Sequence, residues 1–142
     1  MPLQKHSLAF RRLPGRFAVC RLAAGASLPD WGFAGPFASV SRTAEELSVV
    51  CAEESVPTEV HTERGWVGFK LEGPFAFSQT GILAAFIAPL AESRIPIFAI
   101  STFDTDYVFV KEESVAAALA TLRDAGHRLI NDCSVGTPAA SG

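Results

Sequence analysis

Apolar positions come in short runs in the first half of this chain and in longer periodic patterns in the second. Phe17-Ala18-Val19-Cys20-Arg21-Leu22 reads as a strand, as does Phe37 to Arg42. Leu47 to Ala52 reads as a third strand, with Leu47, Val49 and Cys51 alternating with Ser48 and Val50. Between the last two, Thr43-Ala44-Glu45-Glu46 fits either a tight connection or a helix start, because Thr43 and Glu46 have capping-box spacing. Ala23 to Gly35 is rich in Gly, Ala and Pro and reads as a loop or a short helical turn capped by Ser27 or Asp30. Ser55 to Gly65 is polar, holds Pro57 and reads as a loop; residues 1–15 are mixed, with Pro14-Gly15 as a turn.

Trp66 to Leu71 reads as a strand, with Trp66, Gly68 and Lys70 on one face and Val67, Phe69 and Leu71 on the other; Gly73-Pro74 ends it. Ser78 or Thr80 then caps a helix running to about Ser93, whose stripe is Ile82, Phe86 and Leu90, widened by Leu83 and Ile87. Pro89 removes one helical hydrogen bond and is expected to kink or shorten that helix. Ile95 to Ser101 is apolar throughout and is expected to be buried on both faces or nearly so. Asp106 to Lys111 is the next strand. Glu112-Glu113 begin a second helix with Val115, Leu119 and Leu122 inward, and Gly126 caps its end. His127 to Ile130 forms a last strand.

The order strand, helix, strand, strand, helix, strand predicts an α+β fold of ferredoxin-like type, an antiparallel sheet with both helices on one face. The first half has three strands and little helix, a reduced version of the same unit. The expected division is 1–64, 65–130 and a flexible tail at 131–142.

Composition narrows the function. Of 142 residues 49% are apolar, enough for a packed core. Net charge is −3 with no basic block beyond Arg11-Arg12, which argues against nucleic acid as a partner. No apolar run approaches the ~18 residues of a membrane span. The basic residues Lys5, His6, Arg11 and Arg12 are followed by no apolar segment, so no signal peptide is expected and the location expected is the cytoplasm. Cys20, Cys51 and Cys133 are odd in number and lack metal spacing; they read as reduced thiols, two of them in the core. Trp31 and Trp66 read as core or interface anchors, His6 and His127 as surface groups.

The chemistry concentrates in two places. The helix start at Thr80, Gly81, Ile82 and Leu83 offers unbonded N–H groups and a partial positive charge, a seat for a carboxylate. Asp104 and Asp106 are two apart, so an extended backbone turns both carboxylates the same way, toward an ammonium, with Thr102, Phe103 and Thr105 framing them. A zwitterion such as an amino acid needs both ends. The competing reading is local: Asp104 and Thr105 in a hairpin turn are satisfied by their own backbone. Glu59, His61 and Glu63 at spacing two suit a divalent metal or, more simply, a solvated loop. Asp104 and Asp106 lack the phosphate-binding loop of a Mg²⁺-nucleotide site. There is no nucleophile-elbow or Walker motif, and Cys51 reads as a buried thiol rather than a nucleophile. No metal or cofactor is expected.

The run from Trp66 through Glu112, with Gly73-Pro74, Thr80-Gly81-Ile82-Leu83, Ile95-Pro96 and Ser101-Thr102-Phe103-Asp104-Thr105-Asp106, resembles the ACT domain family. More closely it is similar to small bacterial two-ACT proteins related to the aspartate kinase regulatory region and to the animal cytosolic arginine sensors. Trp31, Phe37-Ala38-Ser39-Val40 and Glu46-Leu47-Ser48-Val49-Val50 extend the resemblance over roughly 16–130. It implies tandem ACT-like units acting as a non-catalytic regulatory module. Such modules, often paired side by side, bind an amino acid at an interface, and any regulated activity then lies in a partner protein; separately, the exposed sheet edges of a ferredoxin-like unit lead to the expectation of a homodimer. Gly81-Ile82 and Asp106 are the positions it carries over first. A pure protein-interaction module is the second class, for which the Asp104–Asp106 cluster is dispensable; a small α+β enzyme is the third, and the sequence offers it no acid–base pair beyond those two carboxylates.

Overall fold

The computed structural model describes residues 7–73 and 81–131. Lys5, His6, Pro74, Ser78, Thr80, Cys133 and the stretch 132–142, which enter the readings above, lie outside them. In chain order the elements are β1 (Ala9–Arg12), β2 (Phe17–Leu22), β3 (Ser39–Arg42), β4 (Leu47–Ala52), β5 (His61–Leu71), α1 (Ile82–Glu92), β6 (Ile97–Ser101), β7 (Asp106–Lys111), α2 (Val115–Asp124) and β8 (Arg128–Asn131). Short 3₁₀ turns occupy Asp30–Phe33, Glu53–Ser55 and Glu112–Ser114. No described helix is long and apolar enough to cross a membrane. Contacts divide the chain into a first unit, Pro14–Val67, and a second made of the described residues of Met1–Leu13 and Gly68–Gly142.

In the first unit the strands lie in the order β3-β4-β2-β5, each pairing antiparallel. β4 is interior to this sheet, and every residue of it except Ser48 is buried. Ala18, Cys20, Leu47, Val49, Cys51 and Val56 form the core, with Trp31 and Val40 packed against it. Thr43–Glu46 is a tight connection and not a helix start. The Thr43 N–H donates to the Glu46 carbonyl at 2.9 Å, and its hydroxyl accepts from the Glu45 and Glu46 N–H groups at 3.1 Å each. The Asp30–Phe33 turn is preceded by Pro29 and has no side-chain cap, so neither Ser27 nor Asp30 caps it.

β5 begins at His61, inside the segment expected to be a loop. Phe17 faces Trp66 while Val19 faces Glu63, so β5 carries one extra residue there, a β-bulge. Gly65 sits in it at φ +84°, which is why a glycine that resembled a loop end lies within a strand. The Gly65 N–H donates to Glu53 Oε1 at 2.7 Å, and the Arg64 guanidinium donates to the Glu53 and Val56 carbonyls at 3.0 and 3.2 Å.

The second unit has the predicted βαββαβ order from β5 to β8, with one strand more. β1 lies between β5 and β8, antiparallel to the first and parallel to the second, so the sheet order is β8-β1-β5-β7-β6 and the sheet is mixed. Sequence order alone groups β1 with the first half; its contacts are with the second. Phe10 of β1 meets Phe69 and Phe86 edge-on, at 5.4 and 5.1 Å between ring centres. Ile82, Phe86 and Leu90 of α1 are buried, as the stripe requires. α2 starts at Val115, after a 3₁₀ turn over Glu112–Ser114, and ends at Gly126 (φ +97°), where the Gly126 and His127 N–H groups bond back to Arg123 and Leu122.

Three expectations are corrected here. α1 runs through Pro89 to Glu92, so the proline does not shorten it and its end lies beside the expected Ser93. Proline has no N–H for the Ala85 carbonyl four residues back, and His127 Nε2 occupies that place at 3.0 Å. His127 is therefore no surface group. It is 5% exposed, its Nδ1 accepts from the Leu8 N–H at 3.1 Å, and its ring lies 5.3 Å from Phe86. With Nδ1 accepting, Nε2 carries the proton, so the neutral ring serves as donor and acceptor at once. β6 is not buried on both faces: its residues are half-buried or exposed. It pairs only with β7 among the described strands, so it lies at the edge of the described sheet.

Candidate functional site

β6 and β7 close as a hairpin whose last pair is Ser101 with Asp106. Four residues make the turn. The Thr102 N–H and hydroxyl both donate to the Thr105 carbonyl, at 2.8 and 3.1 Å. The Thr105 hydroxyl is buried and donates to the Leu71 carbonyl at 2.7 Å, which fastens the turn to the end of β5. Asp106 accepts a hydrogen bond from the Ser101 hydroxyl. Asp104 stays exposed, and Phe103 is 80% exposed. The extended backbone assumed for Asp104 and Asp106 does not hold, because Asp104 lies in the turn and Asp106 opens β7.

What the fastened turn does is bring Asp104 and Thr105 beside the end of β5. There a cleft of about 130 Å³ is lined by Lys70, Glu72, Gly73, Asp104 and Thr105. Strand pleating explains why Lys70 and Glu72 share a face, opposite to Phe69 and Leu71, which belong to the core. Arg11 is the cross-strand partner of Lys70, and its Nε lies 3.2 Å from Glu72 Oε2. That contact lacks hydrogen-bond geometry, so this buried carboxylate oxygen accepts no hydrogen bond among the described residues. Lys70 and Asp104 form no ion pair among the described residues either. The cleft thus holds an ammonium and two carboxylates that are not joined to one another, an arrangement suited to a ligand with charges of both signs.

The helix-start residues sit apart from this lining. Gly81 is exposed at the N-cap of α1 (φ +80°, no side-chain cap), and its carbonyl accepts from the Ala85 N–H at 2.9 Å. Ile82 is buried, so it offers a ligand only its backbone; Leu83 is half-buried. Thr80 lies outside the described residues. Sequence reasoning missed Lys70, Glu72 and Gly73. The signal for Lys70 was present, a lone cation in the otherwise apolar run Trp66–Leu71.

The alternatives fare as follows. Among the described residues no three His, Cys, Asp or Glu side chains come together to hold a metal. Cys20 and Cys51 are free and fully buried. Burial, and secondarily the neighbouring Cys20, pushes the Cys51 thiol up to about 11; burial also raises Cys20, against the opposing Thr62 hydrogen bond and Arg64 charge. Neither is a thiolate at neutral pH, so neither is a ready nucleophile.

The comparisons with known proteins fit this architecture. The family model for the ACT domain matches residues 61–124, from the start of β5 to the end of α2, and a second model, described as an N-terminal domain, matches 15–59. The cytosolic arginine sensor for mTORC1 subunit 1 of Bos taurus is 29% identical over 97 residues, covering 61% of this chain and 30% of that protein. The chain therefore spans less than a third of that relative's length. A crystal structure of a protein from Agobacterium tumefaciens is 38% identical, with a TM-score of 0.85 over 89% of this chain and 95% of the other. The ligand-free regulatory subunit of aspartate kinase from Thermus thermophilus shares the fold at 11% identity, with a TM-score of 0.54 over 80% of this chain and 93% of its own. The chain therefore carries an ACT domain over residues 61–124, from β5 to α2, within a fold it shares with these structures.

Proposed function

We propose that this chain is a non-catalytic regulatory module that binds a free amino acid and transmits its presence to a partner protein. The observation that carries the reading is the cleft at the end of β5, where Lys70 faces Glu72 and Asp104 without pairing to them. An α-carboxylate is matched by the Lys70 ammonium and an ammonium or guanidinium by the two carboxylates. Arginine and lysine head the expected ligands, because Asp104 has no cationic partner among the described residues and a relative is named as an arginine sensor. The open start of α1 at Gly81, Ile82 and Leu83, with Thr80, is a second seat for a carboxylate.

The module acts as a homodimer in this reading. The outer edge of β6 is apolar and uncovered: Ile97, Phe98 and Ile100 are half-buried, Ala99 is exposed, and Phe103 beside the cleft is exposed. Pairing of two such edges covers them and puts the ligand near the junction, so that binding favours one packing of the copies over another. Sedimentation at micromolar concentration tests this; a monomer with and without ligand would remove the dimer from the account.

The ligand is tested by a thermal-shift screen of the common amino acids at millimolar concentration, with Asp104→Ala, Asp106→Ala and Lys70→Met alongside. A selective stabiliser whose effect disappears in Asp104→Ala and Lys70→Met is expected, since a ligand of the native state stabilises by mass action. Loss in Asp106→Ala instead moves the site to β7. A flat screen with folded protein contradicts amino-acid binding and favours the interaction-module reading, in which the Thr102–Thr105 turn is satisfied by its own hydrogen bonds.

A further inference from the structure

A second concavity in the same unit is unlike the first in size and charge. It measures about 410 Å³ and is lined by Phe10, Leu119, Arg123, His127, Arg128 and Leu129. Leu119 and Arg123 are four apart on α2 and so share a helix face; Arg128 and Leu129 come from β8; Phe10 and His127 are buried and form its floor. Every polar atom of the floor is committed, because His127 donates to the Ala85 carbonyl and accepts from Leu8. The two guanidinium groups are not. Neither Arg123 nor Arg128 makes a side-chain hydrogen bond or ion pair among the described residues. The carboxylate next in sequence, Asp124, does not line the cavity.

We infer that this cavity is a binding site for a small organic acid with an apolar body. The volume lies in the range of small-molecule pockets, ~300–1,000 Å³. Phe10, Leu119 and Leu129 take up the hydrocarbon or aromatic part, and the two arginines in the lining, each a forked donor, hold the carboxylate. Arg123 in the last turn of α2 also complements the helix dipole, but that role needs no second arginine and no cavity. The ligand is monoanionic and amphipathic. A zwitterionic amino acid is disfavoured here, since its ammonium meets two guanidinium groups and no carboxylate among the cavity's lining. The site is separate from the β5 cleft and stands or falls independently of it.

The test is calorimetric titration of the intact chain with phenylacetate and hexanoate, against phenethylamine and inorganic phosphate, repeated on Arg123→Gln/Arg128→Gln. Both arginines are exposed, so the double variant is expected to keep its melting temperature, which is measured first. The expected result is saturable binding of the two acids, about tenfold or more weaker in the double variant, with neither phenethylamine nor phosphate reproducing it. If the double variant misfolds, Leu119→Gln, which polarises the wall and spares both charges, must weaken phenylacetate while the weaker response to phosphate is unchanged. Equal binding of phenethylamine, undiminished binding in the variants, or no heat with either acid at millimolar concentration overturns the proposal.

Discussion

The two units differ in what their charged side chains do. In the first unit a four-stranded sheet is held with no α-helix, and its arginines are tied to its own loops: Arg64 to the Glu53 and Val56 carbonyls, Arg42 to those of Ala24 and Ala26, Arg16 to the Glu53 carboxylate at 3.4 Å. In the second unit two helices and an aromatic cluster carry the packing, and Lys70, Asp104, Arg123 and Arg128 border concavities without a protein partner among the described residues. A unit that must fasten its loops with side chains has few left for a ligand. A unit whose helices do the fastening can leave charges uncommitted, and that is where binding is to be sought.

The contrast breaks most directly at the aromatic cluster. Phe86→Ala, which removes a ring packed on Phe10 and His127, is expected to cost about 4 kcal/mol in urea unfolding. A loss under 1 kcal/mol would mean the helices are not what holds the second unit. In the first unit the corresponding weak point is backbone. Gly35 lies at φ +98°, and a Cβ there would stand 2.6 Å from that of Ala52. Gly35→Ala is expected to cost about 3 kcal/mol from the left-handed backbone and the clash together; amide exchange should show the loss in β4 before it reaches α1.

Two smaller effects sharpen the comparison. His127→Ala leaves the Leu8 N–H and Ala85 carbonyl unsatisfied, an expected loss of about 2 kcal/mol. In a Pro89→Ala background the new N–H reaches Ala85, so the cost should fall by about 1 kcal/mol; additive effects would deny the coupling. For Cys51 the sign follows from its raised folded-state value. The native state holds its proton longer than the unfolded chain, so stability is intact below the ordinary thiol range and falls as pH rises toward about 11. Cys20 is raised as well and adds to that alkaline loss, so Cys51→Ala should reduce it without abolishing it; an identical alkaline slope in the variant would assign it elsewhere.

Much of this was legible in the residues. β4 and β7 have the limits their apolar runs predict, because interior strands need continuous burial. β1 was not legible: Ala9–Arg12 is four residues with two arginines, and only its pairing with β5 and β8 makes it a strand. β6 misled for the opposite reason, since apolarity does not say whether a strand lies inside a sheet or at its edge. At the site, Asp104 and Thr105 stood out by type, but their neighbours Lys70 and Glu72 come from more than thirty positions away, and it takes the pairing of β5 with β7 and the Thr105–Leu71 hydrogen bond to bring the two segments together. His127 was misread because the carbonyl it satisfies is freed by a proline that looked like a mere interruption.

The most direct test of the central claim is an amide NMR titration of the intact chain with the common amino acids added singly at millimolar concentration. The account predicts that one of them, arginine or lysine first, moves the amides of Lys70, Gly73 and Thr105 and leaves those of Leu119 and Leu129 in place. Shifts confined to other surfaces, or none with any amino acid, would contradict it.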